Sequence, residues 1–210
     1  MDIKIISVSA MSEGAEILLT LSLCDGEGHT EKRKLLLFTE QYLELGLKRG
    51  SLLDEELFEK LEQLAKQCKA IKKGSDLLSY SASSERRLAM RLRNKGFDKD
   101  SANFAASHLK SMGVINEELD VERAVSVCLK KLWGKKRIYR ELCFKGYESD
   151  IISRELSSVD GEKWIDNCRA LYKKKFCKGA TTPDEQKKII ASLVRYGYSF
   201  SEIKIALQNE

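Results

Sequence analysis

The sequence predicts a mainly α-helical protein, with three tandem three-helix repeats behind a small antiparallel strand-plus-helix domain. Three observations predict it. The first forty residues carry short β-branched and alternating apolar runs separated by turn residues. Beyond Gly74 three segments superpose without gaps around Gly96, Gly146 and Gly197, glycines spaced 50 and 51 residues apart. Across the chain, 13 Gly and a single Pro favour helix over rigid loops.

In chain order, Ile3–Val8, Ala15–Leu23 and Lys34–Phe38 read as strands, and Asp25-Gly26-Glu27-Gly28 is a turn cluster that closes a hairpin. Three strands need a cover for their apolar face. Helices over Glu40–Leu45 and from Asp54 to about Cys68 supply it, the second through Leu57, Leu61, Leu64 and Ala65. Lys72-Lys73-Gly74-Ser75 ends this part, so residues 1–74 form the first domain. Repeats over 75–120, 121–159 and 160–210 follow.

Each repeat reads as a long helix, a Gly-ended helix and a short helix. The fourth and eighth residues before each repeat glycine are Leu92 and Leu88, Leu142 and Ile138, and Leu193 and Ile189, an i, i+4 buried stripe. Gly at the helix end fits a left-handed position, which predicts positive φ at all three. Asp98 and Ser199 are N-caps of the short helices, and Ser199 to Glu202 is a capping box. Ala102, Ile152 and Ile203 share one inward position. Val121, Val125, Cys128 and Leu132, and then Trp164, Cys168, Leu171 and Tyr172, mark the leading helices of the second and third repeats. Thr182-Pro183-Asp184-Glu185 supplies cap, first-turn Pro and box residue for the last Gly-ended helix. The leading helix of the first repeat, near Asp76–Ser81, is short.

Hydrophobic residues at 42% and charged residues at 33% suit a packed soluble domain. No apolar run approaches the roughly 18 residues of a membrane span. The first residues, Met1-Asp2-Ile3-Lys4-Ile5-Ile6, lack a secretory pattern, so a cytoplasmic, reducing compartment is expected. Cysteines 24, 68, 128, 143, 168 and 177 show no C-x-x-C spacing and are expected as buried thiols, with no metal. Residues 1–74 hold 11 Lys+Arg against 13 Asp+Glu, and residues 75–210 hold 26 against 19. The basic excess lies wholly in the second part, which points to a polyanionic or acidic partner there.

No phosphate-binding loop, dinucleotide fingerprint, zinc-protease or nucleophile-elbow motif occurs, and the two histidines, His29 and His108, are isolated. The chain is expected to be no enzyme and to need no cofactor. His108 falls in the pattern Phe104, Ala105, His108, Leu109, Met112 and reads as a core-edge residue. The candidate binding residues are the basic pairs nine and ten positions before each repeat glycine: Arg86-Arg87, Lys136-Arg137 and Lys187-Lys188. Their identical phase, on helix ends where cations oppose the dipole, favours binding over stability. Lys130, Lys131, Lys135 and Arg140 thicken the middle patch, and Lys173-Lys174-Lys175 forms a further run. Reversing the charges of Lys136 and Arg137 is expected to leave the melting temperature nearly unchanged, as for exposed charges.

Gly113-Val114-Ile115-Asn116-Glu117-Glu118, Gly134-Lys135-Lys136-Arg137-Ile138 and Glu141-Leu142-Cys143-Phe144-Lys145-Gly146-Tyr147 resemble the signature of the RecX family of bacterial recombination regulators. The flanking L-x-x-x-G-[FY] repeats and the strand-rich leader extend the resemblance over essentially the whole chain. One departure falls after the acidic turn: the family usually has an aromatic–Ala pair there, whereas this chain has Asp120-Val121 and reaches Ala124 later. The resemblance implies a curved array of three-helix repeats acting without catalysis. It implies binding to the RecA filament on single-stranded DNA, restraint of its activities in recombination, DNA repair and the SOS response, and a monomer with weak, sequence-independent contacts to single- and double-stranded DNA. Two other readings compete. One is a sequence-specific DNA-binding transcription regulator, since two helices joined by a Gly turn resemble a helix-turn-helix. The other is a helical-repeat scaffold for another protein.

Overall fold

The computed structural model describes residues 2–25, 29–176 and 182–208. It is mainly helical, with a small antiparallel sheet at the amino-terminal end. Two compact units divide the chain. One comprises the residues up to Ser81 together with Leu88–Val114; the other comprises Ala82–Arg87 together with the residues from Ile115 onward.

In the first unit, β1 (Asp2–Met11), β2 (Glu16–Cys24), β3 (Thr30–Phe38) and β4 (Leu52–Leu53) form an antiparallel sheet in the order β3-β2-β1-β4. The three expected strands are present; β1 and β3 are longer than expected, and β2 is shifted by one residue at the same length. The fourth strand is an addition: Leu52 and Leu53 pair with Lys4 and Ile3, in a stretch too short to show alternation. At the β2–β3 connection the Asp25 N–H donates to the His29 carbonyl (3.1 Å), and the Asp25 carboxylate accepts from the His29 N–H (2.8 Å). Gly26 and Gly28, expected to make this turn, lie outside the described residues.

The inner face of the sheet, with Ile3, Ile5, Leu19, Leu21 and Leu37, packs with Phe58, Leu61 and Ala65 of α2 (Glu55–Tyr80). Each such aliphatic side chain contributes about 1.5–3 kcal/mol through burial. A short helix, α1 (Thr39–Glu44), precedes α2, whose Asp54 N-cap accepts from the Leu57 N–H at 2.8 Å. Glu16, nearly buried in β2, is held by Lys72 Nζ (2.7 Å) and the Ser12 hydroxyl (2.9 Å). The hydrogen bond from Lys72 draws its carboxyl below the usual range, against the opposing effect of burial.

Contrary to the expected stop at Lys72–Gly74, α2 runs on to Tyr80. The reason lies in Gly74, which is buried and helical. A Cβ there would sit 2.7 Å from Leu109 Cδ1 and 3.5 Å from Leu88 Cδ2. This glycine serves close packing, not helix termination, and the short helix expected near Asp76–Ser81 is the last part of α2. Next come α3 (Glu85–Asn94), whose start belongs to the second unit, and α4 (Lys99–Ser111). Asp98 caps α4, accepting from the Ser101 N–H at 2.8 Å, and Ala102, Ala105, Ala106 and Leu109 are buried along it. His108 is half-buried and stacks on Phe104 with ring centroids 5.9 Å apart. Phe104 and Met112, taken with it as apolar pattern residues, are exposed.

The second unit continues with α5 (Glu117–Lys130), α6 (Lys135–Phe144), α7 (Ser149–Ser158), α8 (Gly161–Lys175), α9 (Pro183–Arg195) and α10 (Phe200–Gln208). One core gathers Val121, Val125 and Cys128 of α5 with Ile138 and Leu142 of α6, Ile152 and Leu156 of α7, and Trp164 of α8. A second gathers Cys168 and Leu171 of α8 with Ile189, Leu193, Tyr198, Ile203 and Ala206. Helix α8 thus contributes to both. Val121 is fully buried, so the Asp120-Val121 departure leaves α5 docked. Both expected capping boxes form: Thr182 with Glu185 (3.2 Å each way) and Ser199 with Glu202 (2.7 and 3.3 Å).

The glycine expectation holds at Gly96 (φ +94°), Gly146 (+84°) and Gly197 (+98°). All six residues of the paired Leu/Ile stripe are buried. Leu132 adopts the same left-handed conformation (φ +58°) without being glycine. Its carbonyl accepts from the buried Tyr198 hydroxyl at 2.9 Å, and its side chain packs against the second core. Those contacts hold a backbone state that costs a side-chain-bearing residue about 1–2 kcal/mol.

The cysteine expectation holds in part. Cys68, Cys128 and Cys168 are buried free thiols, and burial pushes Cys68 up to about 11 and Cys168 up to about 12. Cys24 is half-buried and Cys143 is exposed, because it lies on the outer side of α6 opposite Ile138 and Leu142. Cys177 lies outside the described residues. Among the described residues no helix is long and apolar enough to cross a membrane, and no group of three His, Cys, Asp or Glu could hold a metal ion.

Candidate functional site

A helix start leaves backbone N–H groups unpaired and a helix end leaves carbonyls unpaired. In the second unit the two needs meet. Gly134 N-caps α6, and its N–H donates to the Tyr196 carbonyl at the end of α9 (2.8 Å); the Lys136 N–H donates to the Gly197 carbonyl (3.1 Å). The backbones are close enough that a Cβ at Gly134 would lie 2.5 Å from the Gly197 carbonyl carbon. At the start of α3, the Ser84 hydroxyl accepts from the Arg87 N–H (3.3 Å) and donates to the Lys145 carbonyl just before Gly146 (2.8 Å). Arg86-Arg87 and Lys136-Arg137 therefore sit at corresponding joints, each facing the turn of the next Gly-ended helix.

The third pair differs. Helix α9 begins earlier, with Thr182 as cap and Asp184 and Glu185 in its first turn, so Lys187 and Lys188 fall in the second turn. The identical phase relative to the glycine does not give an identical helical end. Acids occupy the positions that the helix dipole favours, and the lysines follow them. Lys187 pairs with Asp184 at 3.4 Å.

The candidate cations divide into groups. Lys135, Lys136 and Arg140 line a groove of about 760 Å³ between α6, α7 and α9, completed by Tyr139, Ser153, Leu156, Ser157 and Val194. Lys187 and Lys188 line an adjoining groove of about 590 Å³ with Ile190, Ala191, Arg195 and Phe200; Val194 borders both. Lys130 and Lys131 are exposed at the end of α5, where cations complement the dipole, and Lys131 stands 5.5 Å from the Trp133 ring. Arg86 is exposed and Arg87 half-buried at the start of α3.

Arg137 stands apart. Its guanidinium lies 4.0 Å from the Trp133 ring centroid and 5.0 Å from that of Tyr196, and Lys175 covers the Tyr196 ring at 4.3 Å. The hydrogen bond with Lys175 holds the Tyr196 hydroxyl below the usual tyrosine range. Arg137 is half-buried and fastens α6 to the end of α9. The expectation that both members of the 136–137 pair are free surface charges is corrected here: Lys136 is exposed, and Arg137 is a packing residue.

Sequence reading missed Tyr139, Phe200 and Val194. Tyr139 carries a usable signal, lying three residues after Lys136 on the same helix. Phe200 was read only as an inner position of a capping box. The Arg137–Tyr196 contact joins residues far apart in sequence and has no local signature.

The chain thus joins a small sheet-plus-helix unit to a helical unit whose grooves combine basic and apolar side chains. The chain is similar to regulatory proteins named RecX. Regulatory protein RecX of Caldanaerobacter subterraneus is 27% identical over 169 residues, covering 80% of this chain and 84% of that protein. RecX of Clostridioides difficile is 26% identical over 183 residues, covering 84% of each. A crystal structure of regulatory protein RecX matches the fold with a TM-score of 0.79 over 99% of this chain and 100% of that one, at 19% identity. No protein-family model matches the chain.

Proposed function

We propose that this protein is a non-enzymatic regulator of recombination and DNA repair that binds the RecA filament on single-stranded DNA and restrains it. The observation that carries this reading is the paired basic groove, where Lys135, Lys136 and Arg140 adjoin Lys187 and Lys188 across Val194, in a chain similar to RecX proteins. A filament of protein on DNA offers phosphates and carboxylates at a regular interval, which such a face matches. Arg86 and Arg87 at the start of α3, and Lys130 and Lys131 at the end of α5, are additional contacts in this reading. Arg137 acts indirectly, by fixing the helix that carries Lys136 and Arg140.

In this reading the helices group as three three-helix repeats, the last part of α2 with α3 and α4, then α5 to α7, then α8 to α10. The joints at Gly146 and Gly197 link successive members. The protein acts as a monomer in the cytoplasm, with weak, sequence-independent DNA contacts. The test is a titration of the protein into RecA hydrolysing ATP on single-stranded DNA. Inhibition at substoichiometric to stoichiometric ratios supports the reading, and unchanged hydrolysis at saturating protein refutes it.

A further inference from the structure

The exposed face of α6 combines charge with aromatic surface. Lys136, Arg140 and Phe144 fall at i, i+4 and i+8, with Tyr139 beside them. Phe144 is 86% exposed, Tyr139 36%, and Phe200, on the adjoining groove, 72%. Rings as open as those of Phe144 and Phe200 contribute little to folding. Tyr139 lines one groove with Lys136 and Arg140, Phe200 lines the next with Lys187 and Lys188, and Phe144 follows Arg140 one turn on along α6, an arrangement with its own recognition chemistry. A duplex keeps the faces of its bases stacked inside and offers such rings nothing. Phe144, 86% exposed and outside the lining of both grooves, presents an open ring rather than one seated in a pocket. A single strand presents both phosphates for the cations and free base faces for the rings.

We infer that this face takes a single-stranded nucleic-acid segment, with Tyr139, Phe144 and Phe200 as stacking platforms for bases and the four cations on the phosphates. The inference rests on the reading of the basic groove as the binding face. It adds a preference for single strands over duplex, set by the aromatic residues.

The test uses fluorescence anisotropy of a labelled oligothymidylate and of a labelled duplex of equal length. The proteins are the full chain and the variants Phe144→Ala, Phe200→Ala and Tyr139→Ala, each checked for unchanged helical circular dichroism. Each aromatic variant is expected to weaken single-strand binding about tenfold while leaving duplex binding and the salt slope as in the parent. A Lys136→Glu/Arg140→Glu variant is expected to weaken both and to flatten the salt slope. If the aromatic variants bind the single strand like the parent while the charge variant fails, stacking is overturned and the basic face stands. If they bind it like the parent but lose filament inhibition, the rings face protein and the inference falls. If the charge variant binds and inhibits like the parent, the face itself is wrong and both readings fall.

Discussion

Lys136 and Arg137 are adjacent in sequence and opposite in role, and separating them is the sharpest test of the site. Arg137 contacts two rings, at 4.0 and 5.0 Å. Cation–π contacts contribute about 0.5–1 kcal/mol when exposed and about 2 kcal/mol when desolvated. For a half-buried guanidinium between two rings, Arg137→Glu should cost about 1–3 kcal/mol, since the substitution removes both contacts. At about 2–4 °C per kcal/mol for a chain of this size, the melting temperature should fall by roughly 2–12 °C. Lys136→Glu should leave it within about 2 °C, because the side chain is exposed and an acid in the first turn of α6 suits the dipole. The Lys136 N–H bond to the Gly197 carbonyl survives either change, being backbone. Thermal melts by circular dichroism, run beside the RecA ATPase titration, read both roles. Lys136→Glu should weaken inhibition without loss of stability, and Arg137→Glu should lose stability first. An Arg137→Glu protein that melts like the parent refutes the clamp, and a Lys136→Glu protein that inhibits like the parent refutes the basic face.

Three further outcomes follow from the packing. Gly197→Ala should destabilise by several times the ~1 kcal/mol expected at Gly96, measured by urea denaturation; both glycines have positive φ, but only at Gly197 would the added Cβ meet backbone, 2.4 Å from the Arg137 nitrogen. Tyr198→Phe should cost about 1–3 kcal/mol, because the Leu132 carbonyl loses its buried donor; an unchanged urea midpoint would exclude that role. Glu16, held below its ordinary value of 4.5 chiefly by Lys72, contributes stability that is fully present above that value and is lost as pH falls through the lowered folded value. Urea midpoints measured from pH 7 down to pH 3 should therefore decline less steeply in Glu16→Gln than in the parent.

Local patterns made much of this fold legible. The i, i+4 pairs before Gly96, Gly146 and Gly197 located three helices and their buried faces, because a helix core repeats within a single turn. The two capping boxes were readable for the same reason. Gly74 misled, since a glycine that stops a helix and one that lets another helix approach look alike until the neighbour, here Leu109, is known. Strand β4 was too short for periodicity, and Cys143 was assigned to the wrong side of α6. In the candidate site, the cations were readable as residues but not as a surface. Which of them share a groove depends on α7 and α9 lying beside α6, and the withdrawal of Arg137 from that surface depends on Tyr196.

The joint between α6 and α9 also carries a consequence for folding kinetics. The Gly134 and Lys136 amides find their acceptors on Tyr196 and Gly197, and the nearby Tyr198–Leu132 bond spans 66 residues of sequence. The first turn of α6 therefore cannot complete its hydrogen bonds when the rest of that helix forms. It must wait for a loop closure of high entropic cost. In native-state hydrogen exchange these two amides should open with the end of α9, while amides one turn further along α6 stay protected. A protease cut or destabilising change far along the chain would then loosen the start of α6, and with it the seating of Lys136, while most of α6 remained folded.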